Sequence, residues 1–405
     1  MGASAPYLAV GRAKRTEPTW LQASPVPRRD RQFIVNPPGY RLSTSRGLQM
    51  GNQLFEELPG SAQAFYNLIL TQSIAALKLN TYLDNFDATR FNFDGIDHSK
   101  EFKAAESAFF FDWFVRNFEN LFSAFSALSD DGSKRLYLNL IAFRLASHFG
   151  IRLPVEFAGK TRELQEYLAL EIATPSHLSL NGQFGELKHL DFEYKGNRYV
   201  VDCLSLVYYL FRGQYFYLRN GVSIAPAAQD IVIDGGACTG DTAAVFSNAV
   251  GPLGRVYSFD PVADHLTILE YNARQFPHAN VAVMPYGLSD RNVLAEPIVL
   301  NQYAPGFRSG NSQVPLRSID YLVNTKEIER VDFIKLDVEG AELDVVRGAR
   351  ESIQRFKPKL AISLYHKPND IFEIILYIKE KFPFYSCYID HYSIHAEETV
   401  LYCRA

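Results

Sequence analysis

Residues 231–242 read Ile-Val-Ile-Asp-Gly-Gly-Ala-Cys-Thr-Gly-Asp-Thr, and no other stretch constrains the fold as much. An apolar run into Asp234 reads as a short buried strand. Gly235, Gly236 and Gly240 follow as a tight turn, and a helix is expected from about Thr242. Glycine permits the sharp turn and lets a ligand come close where a side chain would block it. A strand–turn–helix of this kind belongs to a parallel α/β sheet, whose ligands sit in the crevice at the carboxyl ends of the strands. Asp234 and Asp241 bracket the turn, with no Lys or Arg between them. Such a turn repels a pyrophosphate and attracts a ligand carrying an ammonium and a sulfonium. S-adenosylmethionine is a ligand of that kind.

The rest of the C-terminal half alternates strand and helix with short connections. The predicted strands are Ile231–Asp234, Val256–Asp260, Val281–Pro285, Phe333–Asp337, Leu360–Leu364, Phe384–Ile389 and Thr399–Cys403. Helices are expected around residues 245, 269, 320, 346 and 375. The last two strands leave no room for a helix, so they form an antiparallel pair. The fold class is α/β: a Rossmann-like seven-stranded sheet with a terminal antiparallel hairpin, preceded by a mainly helical N-terminal domain.

At 405 residues, two domains are expected. Residues 1–60 form a basic, Pro-containing arm, with eight Lys/Arg against two acids in the first fifty. Residues 61–220 read as a mainly helical auxiliary domain with a small strand-rich linker, and 221–405 as the α/β domain. Apolar residues recur at helical spacing over Ala62–Phe86, Phe102–Leu128 and Lys134–His148. The aromatic density at 109–125 is that of a packed core or subunit interface rather than a lipid surface. His189–Tyr194, Tyr199–Asp202 and Ser205–Phe211 read as strands, the first two joined at Lys195-Gly196-Asn197 as a hairpin. Residues 301–312 read as a loop, either lying over the site or plainly on the surface.

A net charge of −4 argues against a nucleic-acid partner. The four cysteines (Cys203, Cys238, Cys387, Cys403) contain no C-x-x-C pair, so neither a zinc site nor a disulfide framework is expected. Cys238 reads as a small residue tolerated in the turn. No apolar run suffices to span a bilayer, and no apolar core follows the N-terminal Arg12, Lys14 and Arg15. The expectation is a cytoplasmic protein.

Asp260 ends the second strand, twenty residues beyond Gly240, where a carboxylate accepts from both hydroxyls of an adenosine ribose. That spacing serves NAD equally, but G-x-G-x-x-G would need glycine at Ala237, and Gly-Lys-Ser/Thr is absent. Lys335, Asp337 and Glu339 alternate with Ile334, Leu336 and Val338 at the end of the fourth strand. Charged groups there need partners, either a polar ligand or an internal pair of Lys335 with Asp337 or Glu339. His366 follows the fifth strand on the same rim, and an imidazole is a natural base for a hydroxyl near neutral pH. Asp337 competes for that role. His366, Asp337 and Lys335 are the candidate catalytic residues.

The segments Asp234–Thr242, Phe259-Asp260-Pro261, Gly287-Leu288-Ser289-Asp290, Phe333–Glu342 and Tyr365-His366-Lys367-Pro368 together resemble the FkbM family of S-adenosylmethionine-dependent methyltransferases. Glu398–Tyr402 also resembles that family's closing strand. The resemblance covers about residues 225–404 and implies a class I methyltransferase sheet. It implies S-adenosyl-L-methionine as cofactor and O-methylation of a sugar, glycoside or natural-product hydroxyl. The expected cofactor contacts are Asp234, Gly235, Gly236, Ala237, Gly240, Asp241, Thr242, Asp260, Pro261, Asp337 and Glu339, with Leu288, Ser289 and Asp290 near the adenine. Asp337 also suits a divalent metal, but no second ligand stands out, so no metal is assigned. The helical half is the candidate for acceptor pocket, lid or homo-oligomer interface. Two alternatives stand beside this reading: an NAD-dependent oxidoreductase or sugar epimerase, and a non-catalytic S-adenosylmethionine-binding assembly protein.

Overall fold

The computed structural model describes residues 55, 57–77, 104–153, 161–180, 186–300 and 310–405. The basic arm up to residue 54, the ends of the first two predicted helices (78–86 and 102–103) and residues 301–309 lie outside the described residues.

Helix α1 (Ala62–Leu77) buries Phe65, Ile69, Ser73 and Ala76, one stripe at three- and four-residue spacing. Helix α2 (Ala104–Ala127) buries Trp113, Phe114, Leu121, Ala124 and Phe125. Helix α3 (Asp131–Gly150) begins where the Asp130 carboxylate accepts from the Ser133 amide, a side-chain cap. The Phe65 ring packs on Phe114, Phe122 and Phe125 with centroids 5.6–6.2 Å apart. The aromatic stretch at 109–125 thus builds core among the described residues. That core continues into the C-terminal half. Trp113 donates its indole N–H to Asn369 at 2.8 Å, and Arg144 donates to the Pro368 carbonyl at 3.0 Å.

Helix α4 (Arg162–Ala173), capped by Thr161, has no counterpart among the predicted elements. Strands β1 (Lys188–Tyr194) and β2 (Asn197–Cys203) form the expected hairpin, with positive φ at both Lys195 and Gly196. The predicted strand at Ser205–Phe211 is corrected: Val207–Phe211 is a single turn of π-helix. An unbroken apolar run carries no period to separate helix from strand. Here the side chains pack all round instead of pairing: Phe211 lies 5.0 Å from Tyr167 and 4.9 Å from Tyr194, and Tyr209 stacks on Tyr215. Strands β3 (Tyr217–Arg219) and β4 (Val222–Ile224) make a second hairpin around Asn220-Gly221. Both turn residues have positive φ, as an Asn-Gly turn of this type requires.

The main sheet is built from β5 (Ile231–Gly235), α5 (Asp241–Val250), β6 (Arg255–Phe259), α6 (Ala263–Ala273) and β7 (Val281–Met284). A small three-stranded sheet intervenes: β8 (Gly287–Leu288), β9 (Val293–Leu300) and β10 (Gly310–Arg317), in the order β8-β10-β9. Residues 310–312, expected in a loop, are therefore strand. The chain then runs through α7 (Ile319–Asn324), β11 (Phe333–Leu336), α8 (Glu342–Gly348), α9 (Arg350–Phe356) and β12 (Lys359–Ser363). It closes with α10 (Asp370–Lys381), β13 (Ser386–His391) and β14 (Thr399–Arg404). The strand order is β13-β14-β12-β11-β5-β6-β7, parallel except for β14. This is the seven-stranded, hairpin-terminated sheet expected from the sequence. The order reverses between β5 and β11, so the crevice for a ligand opens at their carboxyl ends.

Asn272, buried on α6, ties the segment ahead of the sheet to the glycine turn. Its Nδ2 donates to the carbonyls of Asp202 (2.8 Å) and Thr239 (2.6 Å), and its Oδ1 accepts from the Asp202 amide at 2.8 Å. Asn272→Leu keeps the volume but strands all three buried groups. It should lower stability by about 2–4 kcal/mol, read as a lower urea midpoint at unchanged slope. A loss below about 0.5 kcal/mol would mean these bonds do not join the two parts.

Candidate functional site

The turn after β5 is held from beneath. Lys335, on β11, pairs in register with Asp234 on β5 and has 1% exposure. Its ammonium donates to the carbonyls of Gly235 (3.0 Å) and Gly236 (2.7 Å) and stands 3.1 Å from the Asp234 carboxylate. Burial alone would depress this lysine, but Asp234, Asp337 and Asp241 outweigh it and keep it charged. Asp234 in turn accepts from the hydroxyls of Thr242 (2.9 Å) and Ser258 (3.3 Å). Asp234, Thr242 and Lys335 therefore satisfy one another inside the protein, buried from solvent. The internal pair foreseen for Lys335 exists, but with Asp234 as its partner.

The glycines serve the same clamp. A Cβ on Gly236 (φ 76°) would lie 1.8 Å from the Asp337 carbonyl oxygen, so the close approach here is to the neighbouring strand. Gly240, at φ 98°, starts α5 against Leu269. Ala237 is buried, and its amide donates to the Phe259 carbonyl.

Asp260 ends at the turn as expected, with its carboxylate already partnered. Oδ2 accepts from the Cys238 amide at 3.0 Å, and Oδ1 from the Val262 amide at 2.8 Å. His265, in the first turn of α6, places Nδ1 3.0 Å from both oxygens. Its Nε2 lies 3.8 Å from the Cys238 sulfur. Burial would depress this imidazole, but the Asp260 carboxylate beside Nδ1 outweighs it and raises it above the ordinary value. Burial pushes the Cys238 thiol up against the pull of His265, which fits an unreactive thiol in the turn. His265 was missed, although a helix starting near 263 turns it back toward Asp260.

On the other side of the crevice, Asp337 follows β11 and receives two phenols: Tyr215 donates to Oδ2 at 3.0 Å and Tyr365 to Oδ1 at 2.8 Å. His366 brings Nε2 to 3.6 Å from Asp337 and 3.7 Å from Glu339, and Nδ1 to 2.8 Å from Glu342. Burial alone would depress this imidazole, yet Glu342, Asp337 and Glu339 hold it up at about 10. Asp337 stays ionised: burial pushes it up, but His366 and Lys335 outweigh that. Half of the Glu339 side chain is exposed, at the mouth of the cluster. Tyr215 comes from the segment ahead of the sheet, beyond the reach of any motif. Glu342 was visible in its motif but carried no assigned role.

The remaining expected contacts divide. Pro261 is half-buried beside Gly287. Leu288 is buried and packs next to Gly235, and Ser289 is buried against Gly348. Asp290 is exposed and stands 3.8 Å from Arg291. Asp241, at the start of α5, is half-buried and lies 3.4 Å from the Tyr209 hydroxyl. Burial pushes its carboxyl up to about 6. The acids that reach the rim are thus Asp241 and Asp337, both half-buried, and the exposed Glu339.

The strand order, the glycine turn at the switch point and the acidic rim define the class I methyltransferase fold. Residues 234–382 match the family model described as the methyltransferase FkbM domain. That match lies within the C-terminal part of the chain and takes in the glycine turn, Asp260, Asp337 and His366. A curated relative, the hexuronic acid methyltransferase AglP of Haloferax volcanii, is 30% identical over 129 residues. The match covers 31% of this chain and 52% of that protein, so the chain spans about half of this relative's length. The crystal structure of methyltransferase FkbM from Methylobacillus flagellatus KT superposes with a TM-score of 0.46 at 21% identity, over 72% of this chain and 59% of that one. Aeropyrum pernix fibrillarin, solved with S-adenosyl-L-methionine, superposes with a TM-score of 0.30 at 12% identity, over 57% of this chain and 96% of that one. Among the described residues no helix is long and apolar enough to cross a membrane.

Asp241 gives a pH test of the rim. Its folded value lies near 6 against an ordinary 3.8, so the folded chain holds this proton more tightly than the unfolded one. The burial penalty is absent at low pH, grows as pH rises through that window and is complete above it. Asp241→Asn should leave stability unchanged at about pH 4 and raise it by about 2 kcal/mol at about pH 7. Equal effects in urea melts at both pH values would contradict this assignment.

Proposed function

We propose that this chain is an S-adenosylmethionine-dependent O-methyltransferase acting on a hydroxyl of a sugar, glycoside or natural product. The observation that carries the reading is the FkbM domain match at 234–382, which spans the glycine turn, Asp260, Asp337 and His366. The hexuronic acid methyltransferase among its relatives favours a carbohydrate acceptor. The rim acids suit a cationic donor: in a crevice partly closed to water, Asp241 and Asp337 attract an ammonium and a sulfonium more strongly than they would in solution.

In the transfer, the acceptor oxygen attacks the methyl carbon as the carbon–sulfur bond breaks. The bonding electrons stay on sulfur, giving neutral S-adenosylhomocysteine. The hydroxyl proton leaves to the Asp337 carboxylate and from there to water, and Tyr215 and Tyr365 hold that carboxylate in place. Most of the rate comes from keeping oxygen, carbon and sulfur in contact and in line.

Isothermal calorimetry with S-adenosylmethionine should show saturable binding that S-adenosylhomocysteine competes away and NADH does not. Methyl-labelled cofactor incubated with a panel of glycosides and uronic acids should then yield a labelled ether. Binding of NADH in place of either sulfur ligand would overturn the reading.

A further inference from the structure

We propose that Asp337, Glu342 and His366 form a binding site for a divalent cation of the manganese type. Three elements bring them together: the end of β11, the first turn of α8 and the residues just after β12. One donor atom from each lies within 4.8 Å of the others. Donors around an ion at about 2.1 Å stand roughly 3–4 Å apart, so a small side-chain movement closes the set.

One buried atom points to the ion. The Glu342 side chain has no exposure; its Oε1 accepts from the Val338 amide at 2.8 Å, but its Oε2 has no hydrogen-bond partner. His366, with a side chain 9% exposed, pairs through Nδ1 with Oε1 of Glu342 at 2.8 Å, which leaves Oε2 as the oxygen without a partner. A buried carboxylate oxygen without a partner is costly unless something shares it. The surroundings decide what that is. Asp337, Glu339 and Glu342 surround one imidazole, while Lys335 is turned to Asp234 and Lys367 donates to the Gly340 carbonyl. The site therefore takes a cation, and the ion enters as His366 gives up its proton to solvent. Two carboxylates with one imidazole suit manganese better than magnesium or calcium, which prefer oxygen donors alone. Half-exposed Glu339 and partly exposed Asp337 leave the site open on the rim side. The role, which rests on the proposed methyl transfer, is to hold the acceptor hydroxyl against the ion so that its proton passes more readily to the carboxylate oxygen of Asp337 that does not bind the ion.

The test uses the full chain, stripped with EDTA and dialysed, titrated with MnCl2 alone and followed by the loss of free Mn2+ signal in electron paramagnetic resonance. The expected result is one saturable site per chain, with Mg2+ competing more weakly. Asp337→Asn and Glu342→Gln should each weaken Mn2+ binding by about tenfold or more. Asp344→Asn, in an exposed pair with Arg347, should bind as the parent does. If Glu342→Gln does not fold, Asp337→Asn decides. No saturable binding by the folded parent, or equal binding by Asp337→Asn, overturns the proposal. S-adenosylhomocysteine binding measured on the same stripped protein separates the two ideas: it tests the methyltransferase reading alone.

Discussion

An ammonium with no access to water needs an acceptor for each of its three N–H bonds, and Lys335 finds them in the carbonyls of Gly235 and Gly236 and the carboxylate of Asp234. Everything at the rim depends on that arrangement. A single charge left unpaired at this depth costs several kcal/mol, so neither partner can leave without the other. The pair locks two adjacent strands in register at the point where the sheet order reverses. It also pulls the first two carbonyls of the turn downward, which leaves the later part of the turn and the start of α5 at the crevice.

From this clamp the two walls follow. On one side Asp260 and His265 grip the Cys238 amide and the start of α6. On the other, Asp337 is fixed by two phenols, one of them from the segment ahead of the sheet. That segment is thus part of the site as well as a neighbour of it. Exposure is distributed unevenly: Asp234 beneath the turn is fully buried, Asp337 is held by two phenols and His366, and Glu339 at the mouth is half exposed. The acids nearest the mouth of the crevice are therefore Asp241, Asp337 and Glu339, while Asp234 is buried beneath the turn.

The seven strands were legible because each is a short apolar run ended by a charge or a glycine. The structure moves their limits by one or two residues. The site was legible as a set of motifs but not as a set of contacts. Asp234, Thr242 and Lys335 read as ligand contacts because sequence does not reveal register, and register is what turns them toward one another. Gly236 likewise answers to the Asp337 backbone, a neighbour a hundred residues away. His265 was within reach, since it lies five residues after Asp260, in the first turn of the helix expected around residue 269. Val207–Phe211 was not: an unbroken apolar run has no period. The β9–β10 sheet hid behind Pro297 and Glu296, which weaken the alternation a strand should show.

Amide hydrogen exchange across residues 235–241, compared between the parent protein and Lys335→Met, tests the clamp most directly. Protection of this turn in the parent, lost in the variant while β6 and β12 stay protected, is the outcome this account requires. A turn equally protected in both proteins would contradict it.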